Sequence, residues 1–454
     1  VLPEGKNLSI RAAGGSMKST MGGKGPSLSA QPLVRPSEAL SLGEHAIRVS
    51  EATLKPFFAQ LKADPQADLA LNVHLPFCPS RCLSCDRVAV VQHRDEEITR
   101  YITNLDKELM LTAQAVGGQR RLARVHFSGG SPNHLSELAL ATLFSHINRH
   151  FSIQSATQIS MELNPRRTSR AQLNFLKGLG VGQIKLEVRD VDAKVQREIG
   201  RIQSLELLED VISIAHGVKF DSLGMDYLIG LPGQTVESCE QSMDAMLSLV
   251  PDWLVCLPFH RRESVFQHQI AVDANHLPSL AERLAMFNQV QMAFDAAGYE
   301  WVGLNVFAKP EHELSVAQRT GKLGLNVLGY VPEKAWSVLG VGLGSLSELP
   351  GLIYQNEANL ANWHTLIESG LLPAHSAVVP DESEVLRRKV LRGLICRQSL
   401  TPADLTDAQE TEWLSPLVDQ GFARKEQSRY LLTELGRSVL PHIWTDSSPA
   451  FRAL

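Results

Sequence analysis

Three cysteines in one short segment are the residues of this sequence best suited to chemistry. Cys78, Cys82 and Cys85 lie in the segment Cys-Pro-Ser-Arg-Cys-Leu-Ser-Cys, directly after a predicted strand. Thiolates at these spacings can bind three corners of an iron–sulfur cube and leave the fourth iron without a protein ligand. Such an iron chelates the amino and carboxylate groups of S-adenosylmethionine (SAM), and one electron then cleaves the sulfonium to give a 5′-deoxyadenosyl radical. The sequence therefore predicts a [4Fe–4S] cluster and SAM as cofactors.

Two other interpretations of the cysteine segment stay open. A zinc site needs a fourth Cys or His at a compatible spacing, and the near candidate, His74, lies inside the predicted strand. A purely structural role is the second alternative. The remaining cysteines, Cys239, Cys256 and Cys396, are scattered along the chain. That distribution is not a disulfide framework, so we expect a reducing, cytoplasmic location.

The segment that must position these cysteines alternates strands and helices from about residue 69 to 308. Six such units in a row indicate a parallel sheet with right-handed crossovers, and because a closed barrel has eight, we expect an open partial (β/α)6 barrel. The predicted strands are Leu69–Leu75, Arg124–Phe127, Gln158–Leu163, Gln183–Val188, Ser222–Ile229 and Trp253–Leu257. The predicted helices are Glu96–Ala115, Leu135–His150, Ser169–Gly178, Leu205–His216, Val236–Leu249 and Ser279–Ala297.

Further candidate residues follow or end these strands, where parallel β/α folds bind their ligands. Gly129 and Gly130 follow the second strand, and glycines there let the backbone approach a ligand such as the methionine part of SAM. Glu162 ends the third strand and is suited to accept hydrogen bonds from a ribose or an amino group, although a solvated Glu is the alternative. Asp226 lies within the fifth strand, where burial demands a ligand or an ion-pair partner. The other two candidates are Arg189, at the end of strand four, and His260, which is either a ligand or a surface residue.

The residues outside the β/α units show other sequence patterns. Residues 1–68 are predicted to be an extension, partly flexible and without the apolar core of a secretory signal. Residues 309–454 are predicted to form a C-terminal domain. Within it, residues 310–351 look loop-like. The order of elements from 382 onward, two helices, a hairpin and a last helix, resembles a winged-helix module.

Composition excludes several partners. Of the 454 residues, 44 are Lys or Arg and 49 are Asp or Glu, a net charge of −5. A chain without a basic excess is not expected to bind nucleic acid. Its apolar runs are shorter than the roughly 20 residues of a membrane span, so no membrane association is expected.

The motifs together resemble the oxygen-independent coproporphyrinogen III oxidases, radical SAM enzymes of haem synthesis. The resemblance runs from about residue 69 to the C-terminus and is carried by a series of matches in order. These are Val73-His-Leu-Pro-Phe-Cys78, Gly129-Gly-Ser-Pro132, Glu162-Leu-Asn-Pro165, Val195-Gln-Arg-Glu-Ile-Gly-Arg201-Ile-Gln203, Asp226-Tyr-Leu-Ile-Gly-Leu-Pro-Gly-Gln234, Phe307-Ala-Lys-Pro310, Glu313-Leu-Ser-Val-Ala-Gln318, Gly329-Tyr330 and Tyr354-Gln-Asn356.

The resemblance implies an oxidoreductase that decarboxylates two propionates of coproporphyrinogen III to vinyl groups without oxygen. It implies a partial barrel with a helical C-terminal domain over the substrate cavity, and residues matching Glu162, Arg201 and Asp226 in contact with SAM. The expected partners are a tetrapyrrole substrate and an electron donor of flavodoxin or ferredoxin type, with the protein a monomer.

Several positions depart from the family pattern. The family has Tyr at Asn72, Cys at Arg87, Gly at Ser128, Gln at Arg189 and Gln at Leu328. Replacing a neutral side chain with Arg adds a fixed charge that pairs well with carboxylates. Three hypotheses follow: the family decarboxylation, a different radical reaction on a tetrapyrrole or another anionic substrate, or a non-enzymatic haem carrier.

Overall fold

A computed structural model describes residues 47–332, 337–402 and 405–443 of the chain. Its centre is a row of parallel strands, and all six predicted strands are present. We label them β1 to β6: Leu69–Leu75, Leu122–Gly129, Gln158–Leu163, Gln183–Arg189, Ser222–Ile229 and Trp253–Pro258. They lie side by side in chain order, each parallel to the next. Their carboxyl ends therefore meet at one edge of the sheet, the edge at which such folds bind ligands.

The six helices that connect these strands are also as predicted, within two residues at each end. They are labelled α1 to α6: Asp95–Val116, Glu137–His150, Arg170–Gly178, Leu205–Val218, Val236–Ser248 and Leu280–Ala296. The helices α2 to α6 each begin after a Ser or Thr whose hydroxyl accepts a backbone N–H of the first turn. Such caps satisfy donors that the helix itself cannot, so the sequence fixes these starting points locally.

The loop-like expectation for residues 310–351 is wrong. This segment contains the helix Glu313–Arg319 and four strands, among them Ser337–Val341, which pairs with β1 in parallel. The partial barrel thus has seven adjacent parallel strands, of which the C-terminal part contributes one. Pairing between residues more than 260 positions apart leaves no local signal, and several of the glycines that suggested a loop, such as Gly324 and Gly340, lie within short strands.

The sheet continues on both sides with short antiparallel strands. In the described ranges it has 13 strands, and its order from one edge to the other is as follows. First come Ile47–Arg48, Ala374–Val378, Leu352–Asn356, Leu346–Leu349 and Ser337–Val341, then β1 to β6, then Val306–Ala308 and Glu300–Val302. Two further pairs are Phe77–Cys78 with Val90–Val91 and Gly324–Asn326 with Gly329–Val331.

Residues 382–443 have the order of a winged helix, as predicted. Two helical segments are followed by a two-stranded hairpin and a last helix, with a short strand on the hairpin's outer side. The second predicted helix is divided in two. The bounds are Glu382–Arg397, Ser399–Leu400, Asp407–Trp413, Ser415–Asp419, Ala423–Glu426, Arg429–Leu432 and Glu434–Ile443. Buried side chains such as Leu394, Trp413 and Tyr430 form its core.

The remaining helices complete the description. They are Glu51–Ala63, Ala193–Glu198 and Leu360–Glu368, with short 3-10 turns at Pro132–His134, Pro165–Arg167, Gln267–Ala271 and Ala274–His276. Of the predicted extension 1–68, residues 1–46 lie outside the described residues. Among the helices in the described ranges, none combines the length and apolar character of a membrane-spanning segment.

Candidate active site

Most of the predicted site residues line one cleft at the carboxyl edge of the sheet. The three cysteines of the loop after β1, the glycines after β2, and Arg189 and Arg201 all face this space, together with Arg87, Arg166 and Glu187. We call it the cysteine cleft. Glu162 lines the adjoining cavity, and Asp226 is fully buried beside Arg189. The structure therefore brings together the residues that were predicted from separate motifs.

Backbone and side-chain contacts hold the cysteine loop in place. Phe77–Cys78 pairs with Val90–Val91, and a turn joins Cys85 N–H to the carbonyl of Cys82. The carbonyl of Cys85 accepts hydrogen bonds from His268 Nε2 at 2.6 Å and Gln269 Nε2 at 3.0 Å. The loop is thus anchored to residues far along the chain, which limits how far its sulfurs can move.

Polar side chains contact two of the three sulfur atoms. Ser131 Oγ lies 3.6 Å from Cys78 Sγ, and the guanidinium groups of Arg201 and Arg166 donate to Cys82 Sγ at 3.6 and 3.8 Å. Burial raises the pKa of the Cys78 thiol to about 12 and that of Cys85 as well. Thiolates in this place therefore need a bound cation, and iron supplies one.

The cleft suits a cluster better than a single metal ion. In the described part of the chain, no three His, Cys, Asp or Glu side chains converge tightly enough to hold one ion. Cysteines that bind a cube each take a different iron, so their sulfurs stand farther apart than around a zinc ion. His74, the residue considered for zinc, shares a 2.8 Å hydrogen bond between its Nε2 and the carbonyl of Val88. Burial lowers the pKa of His74 to about 4, so it is neutral.

The glycines after β2 are required by this chain's own backbone. Gly129 has a φ of +120°, and a side chain there would meet the carbonyl oxygen of Leu75 at 2.5 Å. A Cβ on Gly130 would lie 2.8 Å from Cys78 Sγ and 2.5 Å from the Pro76 carbonyl oxygen. The sequence argument assigned these glycines to the approach of a ligand. Their observed effect is to let the turn lie directly against the cysteine loop.

Two arginines that depart from the family pattern pair with buried carboxylates of this chain. Arg87 pairs with Glu162, and its Nη1 lies 3.3 Å from Glu187 Oε1. Arg189 Nη2 donates to Glu187 at 2.9 Å, and its Nη1 lies 3.1 Å from Asp226 Oδ2. Asp226 thus has an ion-pair partner within the protein, the salt bridge that was the alternative to a ligand, and its contact with SAM stays a prediction. The carboxylates that these arginines contact belong to the protein.

A third cation completes this row. Lys185 Nζ donates to Glu162 at 2.5 Å. Burial acts to raise the pKa of Glu162, but Arg87 and Lys185 together hold it well below the usual value, so this carboxylate is ionised. We call these six residues the ion ladder: Lys185, Glu162, Arg87, Glu187, Arg189 and Asp226. It alternates in sign from end to end.

Lys185 and Glu187 were not predicted as site residues from the sequence. Both lie on β4, where every second residue from Gln183 to Arg189 is polar and the intervening Ile184, Leu186 and Val188 are buried. Strands of a parallel sheet with helices on both faces are normally apolar throughout. Alternation of polar and apolar residues in such a strand indicates that one face lines a polar interior. Lys185 and Glu187 could therefore have been predicted from the sequence. Arg166, which donates to Cys82 Sγ, and Ser131, which lies 3.6 Å from Cys78 Sγ, had no distinct signal.

A large cavity of about 470 Å³ adjoins the cysteine cleft, and Arg87 and Gly129 line both spaces. Its lining includes aromatic and aliphatic side chains such as Trp253, Phe266 and Leu328. Its charged lining residues are Arg87, Arg124, Lys185, Arg262, Asp86, Glu162 and Glu313. Residues 312–314, 327–330 and 344–346 contribute to the wall, so the region after the six-strand repeat helps to enclose the cavity.

The interpretation of His260 as a surface residue is wrong. It is 8% exposed. A second imidazole, the half-buried His126, lies in the cavity wall, and desolvation lowers its pKa to about 4. Both facts follow from tertiary packing around these rings and were beyond a sequence argument.

Comparisons with known proteins agree with this geometry. Residues 72–246 match the family model described as Radical SAM superfamily. Oxygen-independent coproporphyrinogen III oxidase of Pseudomonas aeruginosa is 28% identical over 347 residues, covering 76% of this chain and 75% of that protein. The enzyme of the same name from Escherichia coli is 26% identical over 409 residues, covering 88% and 89%. A solved structure of coproporphyrinogen III oxidase from Escherichia coli, described as a radical SAM enzyme, superimposes with a TM-score of 0.81 at 26% identity, over 86% of this chain and 92% of that one.

Over most of its length the chain is similar to the oxygen-independent coproporphyrinogen III oxidases, and residues 72–246 form a radical SAM domain. The predicted fold class is confirmed, as are the enzymatic nature of the protein and its cofactors, a [4Fe–4S] cluster and SAM. The protein is an oxidoreductase. The departures at Arg87 and Arg189 place two additional guanidinium groups inside its site.

Proposed function

We propose that this enzyme oxidatively decarboxylates coproporphyrinogen III to protoporphyrinogen IX without oxygen. The observation that carries the proposal is the shared wall between the cysteine cleft and the large cavity, formed by Arg87 and Gly129. A radical that forms in the cleft is short-lived, so its target must lie in a directly adjoining space that excludes water.

The lining of the large cavity supports a tetrapyrrole substrate. Pyrrole rings are flat and apolar, and residues such as Phe266, Leu314 and Leu328 offer matching surfaces. Propionate side chains carry negative charge, and Arg124, Lys185 and Arg262 supply cations around the same space. Guanidinium groups bind carboxylates with two parallel hydrogen bonds, which orients as well as attracts them.

The residues that would hold the cofactors follow from their positions. Cys78, Cys82 and Cys85 would bind three irons, and the Arg166 and Arg201 donors would offset the negative charge at Cys82. Gly129, Gly130, Glu162, Arg189, Arg201 and Asp226 would form the surroundings of SAM. When bound, the two cofactors supply the radical that removes hydrogen from a propionate side chain. The protein's residues position the substrate and keep water away.

Each reacting propionate side chain loses one hydrogen atom, one electron and carbon dioxide, and a vinyl group remains, so the atoms and electrons of this step balance. The hydrogen atom ends in 5′-deoxyadenosine, and the electron passes to an acceptor. Cluster reduction needs a donor, for which we propose a protein of flavodoxin or ferredoxin type.

The remaining assignments belong to the same proposal. We assign residues 69–308 to the partial barrel and residues 309–454 to a C-terminal domain that covers the substrate cavity, with residues 1–68 as an extension. The cavity lining at 312–314, 327–330 and 344–346 supports that role. We further propose that the enzyme acts as a monomer in an oxygen-poor cytoplasm and binds neither nucleic acid nor membrane.

The test is product analysis with the reconstituted protein. Anaerobic protein is supplied with iron and sulfide, then with SAM, dithionite and coproporphyrinogen III, and the products are identified by mass spectrometry. We expect harderoporphyrinogen, then protoporphyrinogen IX, together with 5′-deoxyadenosine. The Cys82→Ala variant should give neither product, whereas Cys256→Ala, which changes a buried core cysteine, should give both.

The ion ladder favours one alternative, a different radical reaction on a tetrapyrrole. Arg87 and Arg189 change the charge around the cofactors relative to the family pattern. Release of 5′-deoxyadenosine without loss of carbon dioxide would support that alternative and overturn the decarboxylation. Stoichiometric haem binding with no 5′-deoxyadenosine would instead support a haem carrier.

A further inference from the structure

Arg87 lies at the junction of the cysteine cleft and the large cavity. Its guanidinium group contacts three acceptors at once. Nη1 donates to the carbonyl of Gly129 at 3.3 Å and to Glu162, Nη2 lies 3.4 Å from Glu162 Oε1, and Nη1 lies 3.3 Å from Glu187 Oε1. The side chain is 17% exposed, so one part of it still faces open space.

These acceptors are the ones that a cationic ligand needs. SAM brings an ammonium, a sulfonium and ribose hydroxyl groups, which seek carboxylates and carbonyl oxygens. Among the described residues that line the cysteine cleft, Glu187 is the single carboxylate. Arg87 contacts it, and contacts Glu162 and the Gly129 carbonyl as well, which leaves these acceptors occupied before the ligand arrives.

The excess of positive charge in the cleft also disfavours the binding of a cationic ligand. Its lining carries five guanidinium groups, Arg81, Arg87, Arg166, Arg189 and Arg201, against that one carboxylate. Cys82 already receives hydrogen bonds from Arg166 and Arg201. Arg87 contacts a sulfur only through its backbone carbonyl, which accepts from Cys85 Sγ at 3.9 Å, whereas its guanidinium group contacts the Gly129 carbonyl, Glu162 and Glu187.

Removal of Arg87 would leave neither Glu162 nor Glu187 without a cation. Glu162 would keep Lys185 at 2.5 Å, and Glu187 would keep Arg189 at 2.9 Å. A buried carboxylate that retains one ion-pair partner avoids the large cost of an unpaired charge. The neutral isosteric variant Arg87→Gln is therefore expected to fold, and it can still donate to a nearby carbonyl.

We propose that Arg87 competes with SAM for these acceptors and so sets the affinity of this enzyme for SAM. Arg87 therefore determines how tightly SAM binds. Its guanidinium group occupies Glu162, Glu187 and the Gly129 carbonyl until the cofactor displaces it. This inference rests on the cofactor assignment of the proposed function but not on the decarboxylation.

The test is equilibrium dialysis of radiolabelled SAM against cluster-reconstituted protein, with no reductant present so that SAM stays intact. We expect Arg87→Gln to bind SAM about tenfold more tightly than the wild type. Arg87→Lys keeps the charge and should stay near the wild-type affinity. The control Arg94→Gln changes an exposed arginine that pairs with Glu97 and should have no effect. S-adenosylhomocysteine lacks the sulfonium charge, so its gain in Arg87→Gln should be smaller.

Unchanged or weaker SAM binding in Arg87→Gln, at an iron content equal to that of the wild type, would overturn the inference. Absence of SAM binding in every variant would overturn it together with the cofactor assignment. Failure of the wild type to decarboxylate coproporphyrinogen III leaves the dialysis result intact, so the two failures are distinguishable.

Discussion

Arg189 holds Asp226 with two different groups. Its backbone N–H donates to Asp226 Oδ1 at 3.1 Å, and its Nη1 lies 3.1 Å from Oδ2. Arg189 has a φ of +73°, in the left-handed region that residues other than glycine rarely adopt. Such strain persists where surrounding contacts over-determine the conformation, and here the fully buried Asp226 is one of those contacts.

We therefore predict that Arg189→Gln destabilises the protein. The change leaves Asp226 buried without its counter-charge, which costs about 3 kcal/mol or more. The free energy of unfolding in urea would measure the loss. The double variant Arg189→Gln with Asp226→Asn should lose less than the sum of the two single changes, because the unpaired charge is gone. Additive losses would show that the ion pair contributes nothing.

Gly130 tests the packing of the turn against the cysteine loop. In Gly130→Ala the new Cβ would lie 2.8 Å from Cys78 Sγ, so the loop must shift. We predict a several-fold lower iron and sulfide content after reconstitution. Gly217→Ala is the control, since Gly217 lies in α4 with no heavy atom near its added Cβ. Full cluster loading in Gly130→Ala would contradict the prediction.

Substitution of Arg166 tests whether the donors to Cys82 Sγ set the reduction potential of the cluster. Its guanidinium donates to Cys82 Sγ at 3.8 Å, and its positive charge favours the more negative, reduced cluster. Arg166→Gln is predicted to lower the midpoint potential of the cluster in a redox titration followed by electron paramagnetic resonance. The neighbouring Arg167 is exposed, and Arg167→Gln should leave the potential unchanged. An equal shift in both variants would indicate only a general surface-charge effect.

The buried carboxyl group of Glu108 is predicted to make the free energy of unfolding depend on pH. Gly342 N–H and Asn356 Nδ2 donate to its carboxyl group at 2.9 and 2.6 Å, but burial raises its pKa to about 8. The folded protein then binds this proton more tightly than the unfolded chain, whose pKa is near 4.5. The contribution of Glu108 to stability is therefore fully present below pH 4.5 and is lost as the pH rises toward 8.

The variant Glu108→Gln cannot lose this proton. We predict that, relative to the wild type, it gains about 2 kcal/mol or more of unfolding free energy between pH 5 and pH 8. Urea unfolding at both pH values would measure the difference. The exposed Glu240, changed to Gln, is the control and should follow the wild type. Parallel pH profiles for Glu108→Gln and the wild type would show that Glu108 does not titrate in this range.

The sequence by itself determined the cofactor loop and the six β/α units. The segment from Cys78 to Cys85 is eight residues long, and helices α2 to α6 each have their own hydroxyl cap, as at Ser136 and Thr235. Signals of this kind are local, because they depend on spacing within one element. The same locality placed Glu162 and Asp226 on two strands of one sheet, β3 and β5, which β4 separates.

Only the tertiary structure decided which charges meet. Arg87 was expected to pair with a carboxylate, but Glu162 lies 75 residues away, and only the packing of the segment after the cysteine loop against β3 brings the two side chains into contact. The seventh parallel strand, Ser337–Val341, was likewise hidden, since its partner β1 is more than 260 residues earlier. Contacts between distant segments depend on the packing of the whole sheet, and a periodicity within one segment carries no information about them.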